Sequence, residues 1–292
     1  MSDGTKIEWT DATVNAVNGC SVISPGCTNC YAMRLAGTRL KHTESRAGLT
    51  IDTKAGPVWN GVTRLHEPAL LQPLRWRRPR RIFWNAHGDL FHESVPDAWI
   101  DRCFAVMALT PQHIHQVLTK RPERMRAYMG HRWGETPPGK WRDAAYLRVS
   151  EAARAIDLRR YQESNIGGCD WWPLPNVWLG TSVEDQTRAD ERRDFLRDTP
   201  AAVRFVSYEP ALEVVDWSGW GFLDWMISGG ESGNNARYID YAAFREARDW
   251  CADALVAYFH KQNGVFDANG VKVGKAAAGR LLDGILHSEM PA

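Results

Sequence analysis

The sequence lacks long apolar runs, internal repeats and a strong excess of charge, and each absence removes a class of protein. Nowhere do about 18 consecutive apolar residues occur, so no membrane-spanning helix is expected. The N-terminal stretch MSDGTKIEWTD has no basic region followed by an apolar run, and we therefore expect a soluble protein that is not exported and stays in the cytoplasm. The net charge is only +1, so attraction to nucleic acid must come from a local patch.

Cysteine is also scarce, with six residues in 292, which excludes a disulfide scaffold in a chain of this length. Three of the six lie together in NGCSVISPGCTNCY, with six residues between the first two and two between the last two. Two thiolates one short turn apart can bind one metal, and the Gly and Pro residues fold the loop so that the first thiolate can join them. We therefore predict a metal centre on Cys20, Cys27 and Cys30. Cys103, Cys169 and Cys251 have no such spacing, and the two in apolar helical patterns, Cys103 and Cys251, are interpreted as small buried hydrophobes.

The identity of the metal stays open on spacing alone. A structural zinc needs four ligands, and the fourth would be a distant cysteine or one of His42, His87 and His92. A 4Fe-4S cluster held by three cysteines leaves one iron open for a substrate or cofactor. The motif follows a first predicted strand and leads into a helix, which favours a functional centre over a structural zinc.

Short β-branched or aromatic runs alternate with helical patterns, which is typical of β-α units and a mainly parallel sheet. Seven strands are predicted, at residues 12–18, 81–86, 113–119, 176–182, 203–208, 225–229 and 255–261. Helices are predicted at residues 31–40, 97–109, 122–129, 186–196 and 241–254, with a short one within 147–161. We expect one barrel-like α/β domain over residues 1–292, interrupted by insertions at 37–79 and 130–175.

Polar residues follow every predicted strand, and parallel strands bring their carboxyl ends to one edge. In chain order these residues are Cys20, His87, Asp89, Lys120, Arg121, Ser182, Glu184, Glu209, Gly229, Gly230, Glu231, Ser232, Lys261 and Gln262. Seven polar strand ends in succession predict a catalytic or binding cavity.

Several motifs in order resemble the phage-associated radical-SAM-like proteins with a three-cysteine motif. They are KIEWTDATVNAVNGCSVISPGCTNCYA, GDLFHESVP, LTKRPERM, WPLPNVWLGTSVEDQ, AAVRFVSYEPAL, DWMISGGESG and VGKAAAGRLLDG, and they run from residue 6 to 284. The sequence departs from the usual radical-SAM pattern in having six residues instead of three between its first two cysteines, and Asn29 where an aromatic residue usually precedes the last one.

The resemblance implies a partial (β/α)6-type radical-SAM barrel, a 4Fe-4S cluster on the three cysteines, and S-adenosylmethionine on the fourth iron. It also implies a companion protein encoded nearby and, for a phage-encoded chain, the host cytoplasm, and it leaves the oligomeric state open. The strand-end residues expected to contact the cofactor are Ser182, Glu184, Glu209, Gly229, Gly230 and Glu231, and those expected to contact substrate are Lys120 and Lys261. Equally open is a polar network in which these carboxylates and lysines pair with one another.

The densest basic patch consists of Arg75, Arg77, Arg78, Arg80 and Arg81, with Trp76 and Trp84 beside them. Guanidinium groups pair with phosphates and tryptophan stacks on bases, so Arg77 and Arg78 are predicted to contact nucleic acid. The alternative is a solvated approach to the second strand.

The leading hypothesis is a radical-SAM-like enzyme that acts on nucleic acid or a nucleotide-derived substrate. Two alternatives stay open: a zinc-binding, nucleic-acid-binding protein without catalysis, and a metal-free barrel hydrolase that uses the strand-end carboxylates.

Overall fold

The computed structural model describes residues 4–130, 144–168 and 171–291, and these residues form a mixed α/β structure. The strands within them are β1 (Ala12–Val14), β2 (Val17–Asn18), β3 (Thr50–Thr53), β4 (Gly56–Trp59), β5 (Arg64–Leu65), β6 (Arg81–Trp84), β7 (Ile114–Thr119), β8 (Val177–Ser182), β9 (Val203–Tyr208), β10 (Trp225–Gly229) and β11 (Ala257–Gln262). The helices are α1 (Tyr31–Gly37), α2 (Glu67–Leu70), α3 (Asp97–Ala108), α4 (Pro122–Met129), α5 (Ala145–Ile156), α6 (Leu158–Glu163), α7 (Gln186–Arg197), α8 (Ala242–Ala254) and α9 (Lys275–Ala278).

Seven strands form one parallel sheet in the order β1–β6–β7–β8–β9–β10–β11. Each of the seven predicted strands contributes a strand to this sheet, the first of them only through residues 12–14, which confirms an α/β fold with parallel strands. The last six match their predicted bounds to within two residues, because each is a short run of β-branched and aromatic residues. Strands β8 and β10 are buried along their whole length, as expected where helices cover both faces of a parallel sheet.

The described residues divide into two compact units. The first comprises the described residues up to Val22, together with those within Tyr31–Leu179 and Asp198–Ala202. The second comprises Ile23–Cys30, Gly180–Arg197 and the residues from Val203 onward. Strand β8 contributes its first half to the first unit and its second half to the second.

The first predicted strand, at residues 12–18, is partly wrong because the chain leaves the main sheet after Val14. The Asn85 backbone N–H donates to the Val14 carbonyl at 2.7 Å, and the Asn85 side chain accepts from the Val17 N–H at 2.8 Å. Asn85 adopts a φ of 59° to do so, a conformation that Asn tolerates better than most residues. Strand β2 then pairs antiparallel with β5 in a separate two-stranded sheet.

The 37–79 insertion has secondary structure of its own. It contains the antiparallel β3–β4 hairpin, strand β5 and helix α2. A Cβ on Gly37 would lie 2.0 Å from Cβ of Pro57 in the hairpin. The hairpin therefore packs directly on the end of α1, and the helix predicted to reach residue 40 ends at Gly37.

The described part of the 130–175 insertion forms two helices where one was predicted. The carboxylate of Asp157 accepts from the Arg160 N–H at 3.0 Å and so caps the start of α6. This residue separates α6 from α5. Cys169, which was predicted to lie outside the metal-binding motif, is not among the described residues.

Tryptophan, with 14 copies in the sequence, serves mainly the core. The buried tryptophans among the described residues are Trp9, Trp59, Trp84, Trp171, Trp172, Trp178, Trp217, Trp220 and Trp225. Because each large ring removes much apolar surface from water, packing accounts for most of this unusual composition.

Candidate functional site

Three strand ends of the first unit meet at one guanidinium group. Arg121, which follows β7, donates from Nη1 to Asp89 Oδ2 at 3.0 Å and to Cys20 Sγ at 3.7 Å. The Asp89 carboxylate also accepts from Thr119 Oγ1 at 2.7 Å and from the Lys120 N–H at 3.2 Å. Both side chains of the ion pair are nearly buried, at 10% and 7% exposure. The first thiol of the motif therefore lies beside a fixed cation, and cations favour the thiolate form of cysteine.

The same guanidinium group orders the residues next to Cys20. Arg121 donates to Ser21 Oγ at 2.7 Å and to Glu93 Oε2 at 2.7 Å. Burial alone would raise the pKa of Glu93, but hydrogen bonds and the Arg121 charge outweigh it and lower the pKa to about 2. Burial would likewise lower the pKa of Arg121, yet the charges of Asp89, Cys20 and Glu93 raise it above its usual value. Arg121 is therefore a permanent cation in this cluster.

The second unit contains the turn that carries the other two cysteines. The Cys27 N–H donates to the Ser24 carbonyl at 2.9 Å, and the Cys30 N–H donates to the Cys27 carbonyl at 3.2 Å. Pro25 begins this short 3-10 segment, which suits its fixed φ. Ser24 Oγ lies 3.6 Å from Cys27 Sγ, and Cys27 is only 9% exposed. The tight turn predicted from the spacing is present.

Glu184, which follows β8, contacts this turn through a hydrogen bond to its backbone. Its side chain is fully buried and pairs with Arg192 Nη1 at 3.0 Å. Arg192 also donates to the Ser182 carbonyl at 2.9 Å, and Glu184 Oε1 accepts from the Gly26 N–H at 3.4 Å. The carboxylate predicted to contact a cofactor thus binds the protein's own arginine and the cysteine turn.

Glu231, which follows β10, supports the other side of the turn. It accepts from Arg237 and from Asn29 Nδ2, the latter at 2.9 Å. Burial would raise the pKa of Glu231, but the hydrogen bonds from Arg237 and Asn29 outweigh it and lower the pKa. Nothing in the sequence signalled these partners, because Arg237 belongs to no recognisable motif and the spacing of the cysteine motif does not show what Asn29 contacts.

The remaining predicted site residues of the second unit make contacts within the protein. Lys261 pairs with Glu209 at 3.1 Å. A Cβ on Gly229 would lie 2.5 Å from Glu209 Oε1, and one on Gly230 would lie 2.5 Å from the Asn263 carbonyl oxygen. The two glycines are therefore required by neighbouring protein atoms. The predicted roles of these residues in binding a cofactor or substrate stay predictions.

The donor chemistry of the cysteine segment suits a metal, but its arrangement is not that of a formed site. Three thiols occur within eleven residues of chain, and thiolates are the preferred ligands of zinc and iron-sulfur clusters. In the part of the chain that the structure describes, however, no three His, Cys, Asp or Glu side chains are grouped so that they could hold a metal ion. Of the histidines weighed as a fourth ligand, His87 has its pKa lowered to about 4 by burial and by Arg46, which keeps the imidazole neutral.

The basic patch lies at the opposite edge of the first unit's sheet. Residues 75–80 precede β6 and Arg81 begins it, whereas Cys20, Asp89 and Arg121 follow the carboxyl ends of their strands. Arg77 and Arg78 are exposed. Trp84 is fully buried and donates to His115 Nδ1 at 2.9 Å, so it cannot stack on a base.

Comparison with protein families gives a match over residues 4–291 to the family described as Protein of unknown function (DUF5131). The chain belongs to the DUF5131 family. No curated protein matches this DUF5131 chain, and no solved structure does. Every helix in the described residues is too short or too polar to cross a bilayer.

Assignment to the phage-associated radical-SAM-like proteins is wrong. The family that matches is DUF5131, not a radical-SAM family. The cysteines expected from that resemblance to form a cluster site are not grouped as one in the described residues. The quoted motifs lie inside the DUF5131 match, so they are compatible with this family. They do not indicate which reaction, if any, the protein catalyses.

Proposed function

We propose that the segment with Cys20, Cys27 and Cys30 binds a metal as thiolates, with a 4Fe-4S cluster as the leading candidate. In this proposal the chain is an enzyme that uses the cluster with S-adenosylmethionine on nucleic acid or a nucleotide-derived substrate, and its sheet forms a partial (β/α)6-type barrel. Such a cluster supplies one-electron chemistry when bound. The observation that carries the proposal is the Arg121 guanidinium 3.7 Å from Cys20 Sγ.

This chain's own residues prepare the thiols for a metal in two ways. Arg121 favours the ionised form of Cys20, and a metal ligand must be the thiolate. The turn in the second unit holds Cys27 and Cys30 in a defined local conformation through the backbone hydrogen bond between them. Because metal binding and local folding are coupled, we expect the segment to complete the site when the metal binds.

A zinc-binding protein is the second candidate, and the neutral imidazole of His87 favours it, since neutral histidine is a zinc ligand. The metal-free hydrolase has less support. Its three strand-end carboxylates each pair with a cation of this chain: Glu184 with Arg192, Glu209 with Lys261, and Glu231 with Arg237.

Replacing any one of Cys20, Cys27 or Cys30 by alanine is expected to abolish stoichiometric metal binding after anaerobic reconstitution. Cys103→Ala and Cys251→Ala are the matched controls, because both thiols are fully buried elsewhere. Iron analysis and the ultraviolet-visible spectrum measure the outcome: broad brown absorbance with iron supports the cluster, and a colourless zinc protein supports the second candidate. Full metal content in the Cys20 variant would contradict the proposal. S-adenosylmethionine is expected to bind only the iron-loaded form in calorimetry.

The exposed arginines before β6 are proposed to hold nucleic acid at a distance from the cysteine segment. Arg77→Ala with Arg78→Ala is expected to weaken binding of a labelled DNA oligonucleotide and to reduce the slope of log K against log salt by about 2, since each lost phosphate contact releases roughly one counterion fewer. Lys54→Ala with Lys275→Ala removes the same charge from exposed positions elsewhere and should leave the slope unchanged. Equal slopes of log K against log salt for both double variants would show that Arg77 and Arg78 do not contact the phosphates and belong to a solvated surface.

A further inference from the structure

We infer that Glu231 and Arg237 form a clamp that positions the Cys27–Cys30 turn, and that Glu231 is a positioning residue rather than a ligand of a bound cofactor. The clamp joins the loop after β10 to the turn, and all of its contacts lie within the second unit. Its consequence for metal binding rests on the function proposed above, whereas its effect on the turn does not.

The clamp holds the turn at two points. Arg237 Nη2 donates to the Pro25 carbonyl at 3.0 Å, before Cys27. Asn29 Nδ2 donates to Glu231 Oε2 and to the Asn235 carbonyl, both at 2.9 Å, directly before Cys30. Every one of these bonds spans more than 200 positions of sequence. The short segment between the two points is therefore fixed against the β10 side of the unit at both ends.

Most of the acceptor capacity of Glu231 is used within the protein. An ionised carboxylate offers about four lone-pair positions. Oε1 accepts from Arg237 Nη2 at 2.6 Å, and Oε2 accepts from the Arg237 N–H at 2.9 Å, from Arg237 Nε at 3.0 Å and from Asn29 Nδ2 at 2.9 Å. The side chain is 6% exposed. Oε2 is fully occupied, and the one remaining position on Oε1 belongs to a buried side chain, so Glu231 offers a cofactor ammonium or ribose at most one acceptor position.

The geometry also explains why glutamate and arginine are both needed. The fork of the guanidinium group satisfies both oxygens of one carboxylate and still reaches the Pro25 carbonyl, which a lysine ammonium could not do in one plane. Glu184 adds a third hold through the Gly26 N–H. A turn fixed in this way loses less conformational freedom when its thiols take up a ligand.

The test is the rate at which Cys27 is alkylated in the metal-free protein, read by mass spectrometry of the peptide that contains it. Asn29→Ala removes one hold at a half-buried position, and Glu231→Ala removes the whole carboxylate. Since Cys27 is nearly buried, it reacts mainly when the turn opens, and the loss of two hydrogen bonds should raise its rate about tenfold in Asn29→Ala and more in Glu231→Ala. Asp283→Asn is the matched control, because it weakens the Arg245–Asp283 ion pair of the same unit without contact to the turn.

Cys251 reports on the fold in every sample, because its thiol is fully buried in α8. Faster labelling of Cys27 with unchanged labelling of Cys251 supports the clamp. Unchanged labelling of Cys27 in both variants overturns it. If Cys251 is also labelled faster in Glu231→Ala, that variant is globally destabilised, and the result for Asn29→Ala alone is then used. Iron loading is then compared in the same proteins. A wild type that loads no metal while the variants label faster refutes the proposed metal function and leaves the clamp standing, whereas loading that falls with faster labelling links the two.

Discussion

Replacing Arg192 by methionine is expected to lower the free energy of unfolding by about 3–5 kcal/mol, because it leaves a buried carboxylate without its cation. Glu184 is 0% exposed, and the hydrogen bond that it accepts from the Gly26 N–H is long at 3.4 Å. Methionine fills a similar volume, so lost packing contributes little. Urea denaturation followed by circular dichroism measures the change.

The double variant Glu184→Met with Arg192→Met distinguishes the cost of leaving one buried charge unpaired from the net contribution of the ion pair to stability. Replacing both charges by apolar groups is often nearly neutral for a buried pair, so the double variant should recover most of the loss. Arg197→Met breaks the exposed Arg197–Asp194 pair and should cost less than about 1 kcal/mol. A loss in Arg192→Met no larger than in this control would show that solvent already screens the Glu184 charge.

The parallel sheet could be predicted because its signal is local. Strands β9 and β10 are short runs that consist mostly of β-branched, aromatic and small residues, and both have their predicted bounds. The break after Val14 could not be predicted, because it depends on Asn85, which lies about 70 positions away and takes up the hydrogen-bonding groups that a continuous strand would use. Tertiary contacts of this kind have no counterpart in the local pattern.

The candidate site was only partly predictable for a related reason. Parallel topology correctly brings Cys20, Asp89 and Arg121 to one edge in the first unit. Topology does not reveal which carboxylates are already paired. Glu231 and Arg237 are separated by a Gly- and Asn-containing loop whose conformation no periodicity specifies, so their ion pair could not be predicted from the sequence.

A steep loss of stability between pH 6.5 and about pH 4 is the second expected result, and two fully buried histidines contribute to it strongly. Burial, with a smaller contribution from His113, lowers the pKa of His115 to about 3, and burial lowers the pKa of His260 to about 4. Trp84 Nε1 donates to His115 Nδ1 at 2.9 Å, so a proton on that nitrogen would face another donor. His260 is fully buried between Ser228 and Asn263.

The sign follows from proton uptake. The unfolded chain protonates both histidines below pH 6.5, whereas the folded chain does not until pH falls to their lowered pKa values, so acidification favours unfolding. Two such groups give a slope of about 2–3 kcal/mol per pH unit in this window. The lowered pKa of Glu231 adds to the loss only below its ordinary value of 4.5. Urea titrations at pH 7, 6 and 5 therefore measure mainly the histidines.

Substitution of single histidines shows which residues cause the dependence of the free energy of unfolding on pH. His115→Gln and His260→Gln should each lower stability at pH 7, because buried hydrogen bonds are lost, and each should reduce the slope between pH 6 and 5 by about 1 kcal/mol per pH unit. His42→Gln changes an exposed histidine and serves as the matched control. If the free energy of unfolding falls as steeply with pH in the double variant His115→Gln with His260→Gln as in the wild type, other groups take up the protons on unfolding. The two core histidines are then not the source of the acid sensitivity.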